Sequence, residues 1–279
     1  MERVKAFQLS EQFPMMIGAE KMTLIGGPCS IEGWEMCAEV AETVKEICEE
    51  LGIQYIFKGS FDKANRSYLH AGRGVGITKG LEILNDIKEK YHIPVTTDVH
   101  ESWQCQEAGK VVDMLQIPAY LCRQTDLILS AAHTGRAVNI KKGQFMAPWN
   151  MDNVVEKMLS CDNEKIILCE RGNSFGYNRL VVDMQGLAEM RKLGYPVFLD
   201  ATHSVQQPGS NREFTSGNRD FVPHLMCAGL AVGIDGIFAE IHPDPDRAIS
   251  DGPSQLRLSD VRVILHKAKK YDDLRRSEA

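Results

Sequence analysis

No apolar run in this 279-residue chain approaches the ~18 residues of a membrane-spanning helix. Met1 leads straight into Glu2, Arg3 and Lys5 with no apolar stretch behind them, so no secretory leader is expected. The eight cysteines include no C-x-x-C and no paired spacing. A disulfide framework is therefore not expected, and reduced thiols in a cytoplasmic protein are. Low-complexity tracts, Gly/Ser linkers and charge blocks are all missing. So is any excess of positive charge. Thirty-two Lys and Arg stand against 38 Asp and Glu, a net charge of -6. That argues against broad nucleic-acid binding, and any anionic ligand would need a local basic pocket.

What is present is a regular alternation. Short apolar runs read as buried parallel strands at Met22–Gly27, Ile53–Lys58, Val95–Val99, Met114–Ile117, Ala137–Lys141, Ile166–Glu170, Val197–Asp200 and Gly236–Ile241. Helix-length stretches separate them. In Gly33–Leu51, for instance, Val40, Val44, Ile47 and Leu51 recur at helical spacing, and Met36, Cys37 and Cys48 read as core or helix surface. Eight strands alternating with helices predict one α/β unit, a single (β/α)₈ TIM barrel over residues 1–279. Val4–Phe7 and Met15–Ile17 fall outside the count. They predict a short N-terminal hairpin, within residues 1–20, that caps the barrel bottom.

Such a barrel forms its active site at the C-terminal ends of the strands. Those ends read Cys29, Lys58, Asp98 with His100, Gln116, Lys141, Arg171, His203 and Glu240. Nearly every strand delivers a polar or reactive group, which a structural barrel does not need. One set is basic: Lys58, Lys63, Arg66, Lys141 and Arg171. Arg offers a planar fork and Lys a point charge, so the set suits a polyanionic substrate. Ser60, Asn65, Gln116 and Gln144 add neutral donors. A second set is Cys29, His203, Glu240 and Asp251. Strands one, seven and eight are neighbours in a closed barrel, and a thiolate, an imidazole and two carboxylates suit a divalent ion such as Zn²⁺ or Fe²⁺. His70, His92, His133, His224 and His266 read as structural or surface residues. His242 belongs either to the mouth or to the loop. Asp244–Pro253, rich in Pro, Asp and Gly, predicts a lid.

The motifs carry a resemblance. In order they are Gly26-Gly27-Pro28-Cys29-Ser30, the run from Phe57 to Ser67, Asp98-Val99-His100-Glu101, Gln116-Ile117-Pro118-Ala119 and Lys141-Lys142-Gly143-Gln144. Cys169-Glu170-Arg171-Gly172, Asp200-Ala201-Thr202-His203 and Glu240-Ile241-His242-Pro243-Asp244-Pro245 complete the set. Across residues 20–270 the chain resembles the 3-deoxy-D-manno-octulosonate 8-phosphate synthases. The resemblance implies a homotetramer and a cytoplasmic step toward the sugar acid of Gram-negative lipopolysaccharide. The family joins phosphoenolpyruvate, D-arabinose 5-phosphate and water, and releases phosphate.

Carried over by resemblance, Lys63, Lys141, Arg171, Gln116 and the amide of Ala119 hold phosphoenolpyruvate. Lys58, Ser60 and Asn65 hold the aldose. Arg66 and Ser67 reach its phosphate across a subunit interface, and Asp98 and His100 line the water path. Lys63, Asp98, His100 and His203 are the expected catalytic groups. Metal-independent members carry Asn at the position of Cys29, so this chain resembles the metal-dependent class. One divalent ion, Zn, Fe or Mn, is expected on Cys29, His203, Glu240 and Asp251. Two positions depart from the family pattern. Tyr68 replaces a Ser, and Asn218 replaces a frequent Gly. The competing readings are a 3-deoxy-D-arabino-heptulosonate 7-phosphate synthase, which has Pro-Arg-Thr where this chain has Ala64 to Ser67, and a non-catalytic sugar-phosphate-binding barrel.

Overall fold

The computed structural model describes residues 4–66, 68–208 and 216–278. Eight parallel strands form its centre: β1 (Thr23–Gly27), β2 (Gln54–Lys58), β3 (Val95–Asp98), β4 (Met114–Ile117), β5 (Ala137–Lys141), β6 (Ile166–Glu170), β7 (Val197–Asp200) and β8 (Gly236–His242). Each pairs with the next, and β8 returns to β1 through Gly236 opposite Thr23 and Glu240 opposite Gly27, so the sheet closes. Around it lie α1 (Trp34–Leu51), α2 (Ile77–Tyr91), α3 (Ser102–Gly109), α4 (Thr125–Ala132), α5 (Asp152–Leu159), α6 (Met184–Arg191), α7 (Val222–Val232) and α8 (Val261–Ser277). The expected (β/α)₈ barrel is present, with strand ends displaced by no more than one residue.

Burial on both faces explains why the strands read as continuous apolar runs. Val, Ile and Leu side chains alternate between the barrel interior and the layer under the helices. The helix layer buries Val40, Val44 and Ile47 of α1 together with Cys37 and Cys48. Gly52 ends α1 at φ 67, a left-handed position that returns its N–H to the carbonyls of Cys48 and Glu49.

The interior forms a second cluster of Ile25, Ile56, Met114, Ala137, Ile167, Cys169, Phe198 and Phe238. Phe7, Leu9 and Ile17 join it from an antiparallel N-terminal hairpin that pairs Phe7 with Ile17 and Gln8 with Met16. The Lys5 amide donates to Gly194 O at 2.7 Å, just ahead of β7, so this apolar plug sits at the N-terminal end of the strands. Burying a side chain such as Phe or Ile contributes roughly 1.5–3 kcal/mol. Phe238 marks the upper limit of the apolar interior. Lys141 Nζ lies 3.0 Å and Lys58 Nζ 5.7 Å from its ring centroid. Chemistry is thereby confined to the opposite end.

Three short pairings lie outside the expected strands. Asn173–Gly176 and Arg179–Val181 form a hairpin after β6, Gln206–Gln207 pairs with Ser216–Gly217, and Leu256–Arg257 adds to β8.

Candidate active site

The mouth at the C-terminal end is lined by Lys58, Lys63, Asn65, Arg66, Asp98, His100, Gln116, Ala119, Lys141, Gln144, Arg171, His203, Glu240 and Asp251. The expected residues therefore converge, with three qualifications. Cys29 lies in the floor rather than the lining. Ser60 is fully buried and donates to Asp98, so its hydroxyl is already engaged. Ser67 lies outside the described residues. The reading of the sequence passed over Asp200, Gln206 and Ser250, which also line the mouth.

The end of β1 is shaped by a glycine. A Cβ on Gly27 would stand 2.0 Å from the Lys58 carbonyl oxygen, so only glycine lets β1 run this close to β2. The bridge from Ser30 to Ser60 continues that pairing past the strands. Cys29 is thereby fixed beside Lys58, whose ammonium donates to Pro28 O at 3.2 Å, Cys29 O at 2.7 Å and Glu240 Oε1 at 3.0 Å. These three bonds use all the protons of Lys58, so it braces β1 against β8 before it could serve a sugar.

Cys29, Glu240 and Asp251 bring ligand atoms within 4.8 Å of one another. Cys29 Sγ is 3.4 Å from Asp251 Oδ2. His203 Nε2 faces the same point, 3.7 Å from Glu240 and 3.6 Å from Asp251. Its other nitrogen, Nδ1, bonds Asp200 Oδ2 at 2.7 Å. That carboxylate aims the ring and leaves Nε2 available, as metal-binding histidines require. Glu240 Oε2 is buried without a hydrogen-bond partner. Asp251 holds left-handed backbone at φ 51, a strained conformation at the one residue of its loop that enters the cluster.

Electrostatics fits a cation here. Burial, reinforced by Glu240, pushes the Cys29 thiol well above its ordinary range. Burial also opposes the charge on Asp251 and Glu240, yet both stay below the usual carboxylate range. The His203 hydrogen bond and Lys63 hold Asp251 down, and His203 and Lys58 hold Glu240 down. One buried thiol, two ionised carboxylates and an aimed imidazole suit a single divalent ion, which would stabilise the thiolate.

The basic set is partly neutralised. Lys141 pairs with Asp200, which also takes Thr202 Oγ1 at 3.0 Å and the His203 amide at 2.9 Å. The Lys63 ammonium makes no hydrogen bond or ion pair with any described residue, while the backbone amide donates to Arg73 O at 2.7 Å. Burial opposes its charge, but Cys29, Glu240, Asp98 and Asp251 raise its pKa well above the ordinary value. Arg171 donates Nη2 to Gln206 Oε1 at 2.8 Å, while Nη1 is buried without a partner. Arg66 Nη1 donates to Ser250 Oγ at 2.5 Å in this chain's own mouth. The cations left for an anionic ligand are Lys63, Arg66 and Arg171. Across the mouth, His100 Nε2 lies 2.9 Å from Asp98 Oδ2. Burial opposes the Asp98 charge, and the His100 bond together with nearby Lys63 and Lys58 keeps it ionised.

His242 is the last residue of β8 and lies outside the mouth lining, turned toward the loop that follows. Its Nδ1 accepts from the Asp244 amide at 3.0 Å, and Nε2 stands 3.5 Å from Glu32. The expected lid is strapped down. Glu32 accepts from the Ile249 amide at 3.0 Å, Arg219 donates to Gly252 O at 2.9 Å, and Pro245, Ser250, Asp251 and Gly252 are buried.

A family model described as the DAHP synthetase I family matches residues 6–277. The chain belongs to this family. It is 58% identical over 257 residues to a 2-dehydro-3-deoxyphosphooctonate aldolase of Fusobacterium nucleatum, covering 92% of each chain. Proteins of the same name from Cyanothece sp. and Rickettsia bellii are 54% identical over 246 residues and 53% over 252. Those matches cover 88% of this chain and 90% of the first, and 90% of this chain and 92% of the second. Among the described residues no helix is long and apolar enough to cross a membrane.

Proposed function

We propose that this member of the family condenses phosphoenolpyruvate with D-arabinose 5-phosphate and water, giving 3-deoxy-D-manno-octulosonate 8-phosphate and inorganic phosphate. The observation that carries the reading is the mouth itself. Three cations with no ion-pair partner among the described residues, Lys63, Arg66 and Arg171, line the mouth that holds a buried cluster of divalent-ion ligands. A substrate pair bearing a carboxylate and two phosphates matches that charge. The relatives named 2-dehydro-3-deoxyphosphooctonate aldolase support it against the heptulosonate synthase that the family description also evokes. A non-catalytic barrel has no use for the cluster.

In this reading Lys63, Lys141, Arg171, Gln116, Gln144 and the Ala119 amide hold phosphoenolpyruvate. Asn65 and Arg66, with Ser67, receive the aldose and its phosphate, while Lys58 and Ser60 brace the aldose side. Carbon 3 of the enol attacks the aldehyde carbon, and the aldehyde oxygen takes up a proton. Water adds at carbon 2 and the bond to phosphate oxygen breaks. Asp98 and His100 orient that water and hold its proton. Cys29, His203, Glu240 and Asp251 would hold one divalent ion, Zn, Fe or Mn, which supplies electrostatic orientation of substrate and water when bound. Asp200 keeps His203 correctly turned through its Nδ1. Phosphate release from phosphoenolpyruvate with each candidate aldose tests the whole reading. No release with arabinose 5-phosphate would refute it.

Arg171 must hold the phosphate while its bond breaks, and Nη1 is free to do so. Arg171→Ala is expected to lower kcat/KM for phosphoenolpyruvate by ~10²–10³. Steady-state kinetics with near wild-type kcat and KM would contradict this role.

We also place the enzyme in the cytoplasm as a homotetramer. All eight cysteines are unpaired, which suits a reducing compartment. Tyr120, Phe145, Trp149, Phe175 and Tyr177 are exposed on the loops after β4, β5 and β6, and such aromatic surfaces mark association sites. If a neighbour's Arg66 and Ser67 complete each mouth, dissociation should abolish most activity. A fully active monomer, by light scattering with a parallel assay, would remove the shared site.

A further inference from the structure

Side chains alternate across the tops of β5 and β6. Lys141 and Arg171 face the mouth, and Cys169 faces the interior. Lys142 and Glu170, one position out of phase, point the other way and have no solvent exposure at all. Lys142 Nζ lies 3.3 Å from Glu170 Oε2. A buried ion pair gains little over an apolar pair of the same volume, whereas breaking it from one side is costly. Its groups therefore have to be explained by what else they hold.

Both partners hold the two loops that carry substrate-facing arms. Glu170 Oε1 accepts from the Arg171 amide at 3.0 Å and from the Gly172 amide at 2.5 Å. Lys142 donates to Asn173 Oδ1 at 2.6 Å, Met146 O at 3.1 Å and Gly143 O at 3.3 Å. Gln144 lies inside the turn that Lys142 gathers, and the Ser174 amide donates to Gln144 O at 2.9 Å. In the mouth, Gln144 Oε1 and Arg171 Nη1 are both buried without partners.

We infer that Lys142 and Glu170 are positioning residues that fix Arg171 and Gln144 relative to each other. They form a buried clamp behind the subsite for the phosphate and carboxylate of phosphoenolpyruvate. The clamp rests on the reaction proposed above. It acts on one substrate only, because no bond of Lys142 or Glu170 reaches Asn65, Arg66 or the metal-ligand cluster.

Glu170→Gln tests it. The amide can present its oxygen either to the two backbone N–H groups or to Lys142, but not to both. In either orientation its NH₂ faces a donor. A displacement of this kind lowers affinity by about 10-fold or more. The dissociation constant for phosphoenolpyruvate, measured by calorimetry, should rise accordingly. The KM for arabinose 5-phosphate and the bound metal content should stay within about 2-fold. Asn173→Ala cuts one arm of the clamp and leaves the ion pair intact, so it decides the question if Glu170→Gln does not fold. It should weaken phosphoenolpyruvate binding alone. Unchanged phosphoenolpyruvate affinity in a folded variant, or equal loss for both substrates, would overturn the clamp. Failure of the wild-type protein to bind phosphoenolpyruvate would instead refute the proposed reaction.

Discussion

Arabinose 5-phosphate is expected to be used with a kcat/KM ~10⁴-fold above that for erythrose 4-phosphate, and ribose 5-phosphate is expected to be nearly inert. In the proposed reading the sugar is fixed at two points. Its phosphate lies with Arg66, and its aldehyde meets carbon 3 of a phosphoenolpyruvate held by Lys63, Lys141 and Arg171. A four-carbon sugar that satisfies one point falls short of the other. It also carries one hydroxyl fewer, which leaves a buried donor or acceptor unpaired, and such groups cost ~1–3 kcal/mol each. Ribose 5-phosphate has the right length but the opposite configuration next to the aldehyde. Its hydroxyl would meet the wrong partner. Phosphate release measured across a concentration series of each aldose gives the three efficiencies. Equal efficiency with erythrose 4-phosphate would sink the substrate assignment and favour the heptulosonate reading.

Removal of the divalent ion should abolish most activity, and Zn²⁺, Mn²⁺ or Fe²⁺ should restore it. The expectation rests on four groups that the fold brings together, although Lys58 already pairs with one oxygen of Glu240. Glu240 Oε2 has no partner, Cys29 is hemmed in by carboxylates, and His203 is turned by Asp200 so that Nε2 faces the cluster. Cys29→Asn exchanges a thiolate for a neutral amide and should weaken the site greatly. If the surrounding groups suffice without the thiolate, this variant keeps some metal-independent turnover. His203→Ala should lose more, because it removes both a ligand and the group that Asp200 holds in place. Elemental analysis of the purified protein, with assays before and after chelation, measures both effects. Full activity in a verified metal-free preparation would show that the cluster is not a catalytic metal site.

Most of the barrel was legible because its strands are buried on both faces. Ile166–Glu170 reads as an uninterrupted apolar run ending in a polar residue and Ala137–Lys141 as one broken only by Asn139, and strand ends are where a barrel places its chemistry. The hairpin of Asn173–Gly176 with Arg179–Val181 was not legible. Its residues are mostly exposed, so they carry no apolar pattern, and its turn puts Tyr177 and Asn178 at φ 55 and 51, where only Asn gives a hint. The candidate site was legible in residue type but not in pairing. Counting cations at strand ends found Lys58 and Lys141. It could not show that Glu240 and Asp200 already hold them, because the partners come from strands far away in sequence. Gln206 and Ser250 were missed for a related reason. Ser250 sits in a loop and Gln206 in a two-residue strand, where no periodicity announces direction. Lys142 and Glu170 were visible inside motifs, yet nothing in the order of residues says that they face away from the mouth.

The apolar plug ties together the earliest and latest parts of the chain. Phe7, Leu9 and Ile17 share one cluster with Phe198 and Phe238. More than two hundred residues separate Phe7 from Phe238, so completing this cluster closes one of the longest loops the chain can make. Loop entropy is lost before the completed cluster returns anything, and folds dominated by such pairings assemble slowly. On a ribosome the hairpin would emerge before the barrel strands and still wait for β8. Until then its three apolar side chains have no complete interior to enter. The inner core is therefore finished only once β8 has been made, although the hairpin that plugs it is made long before.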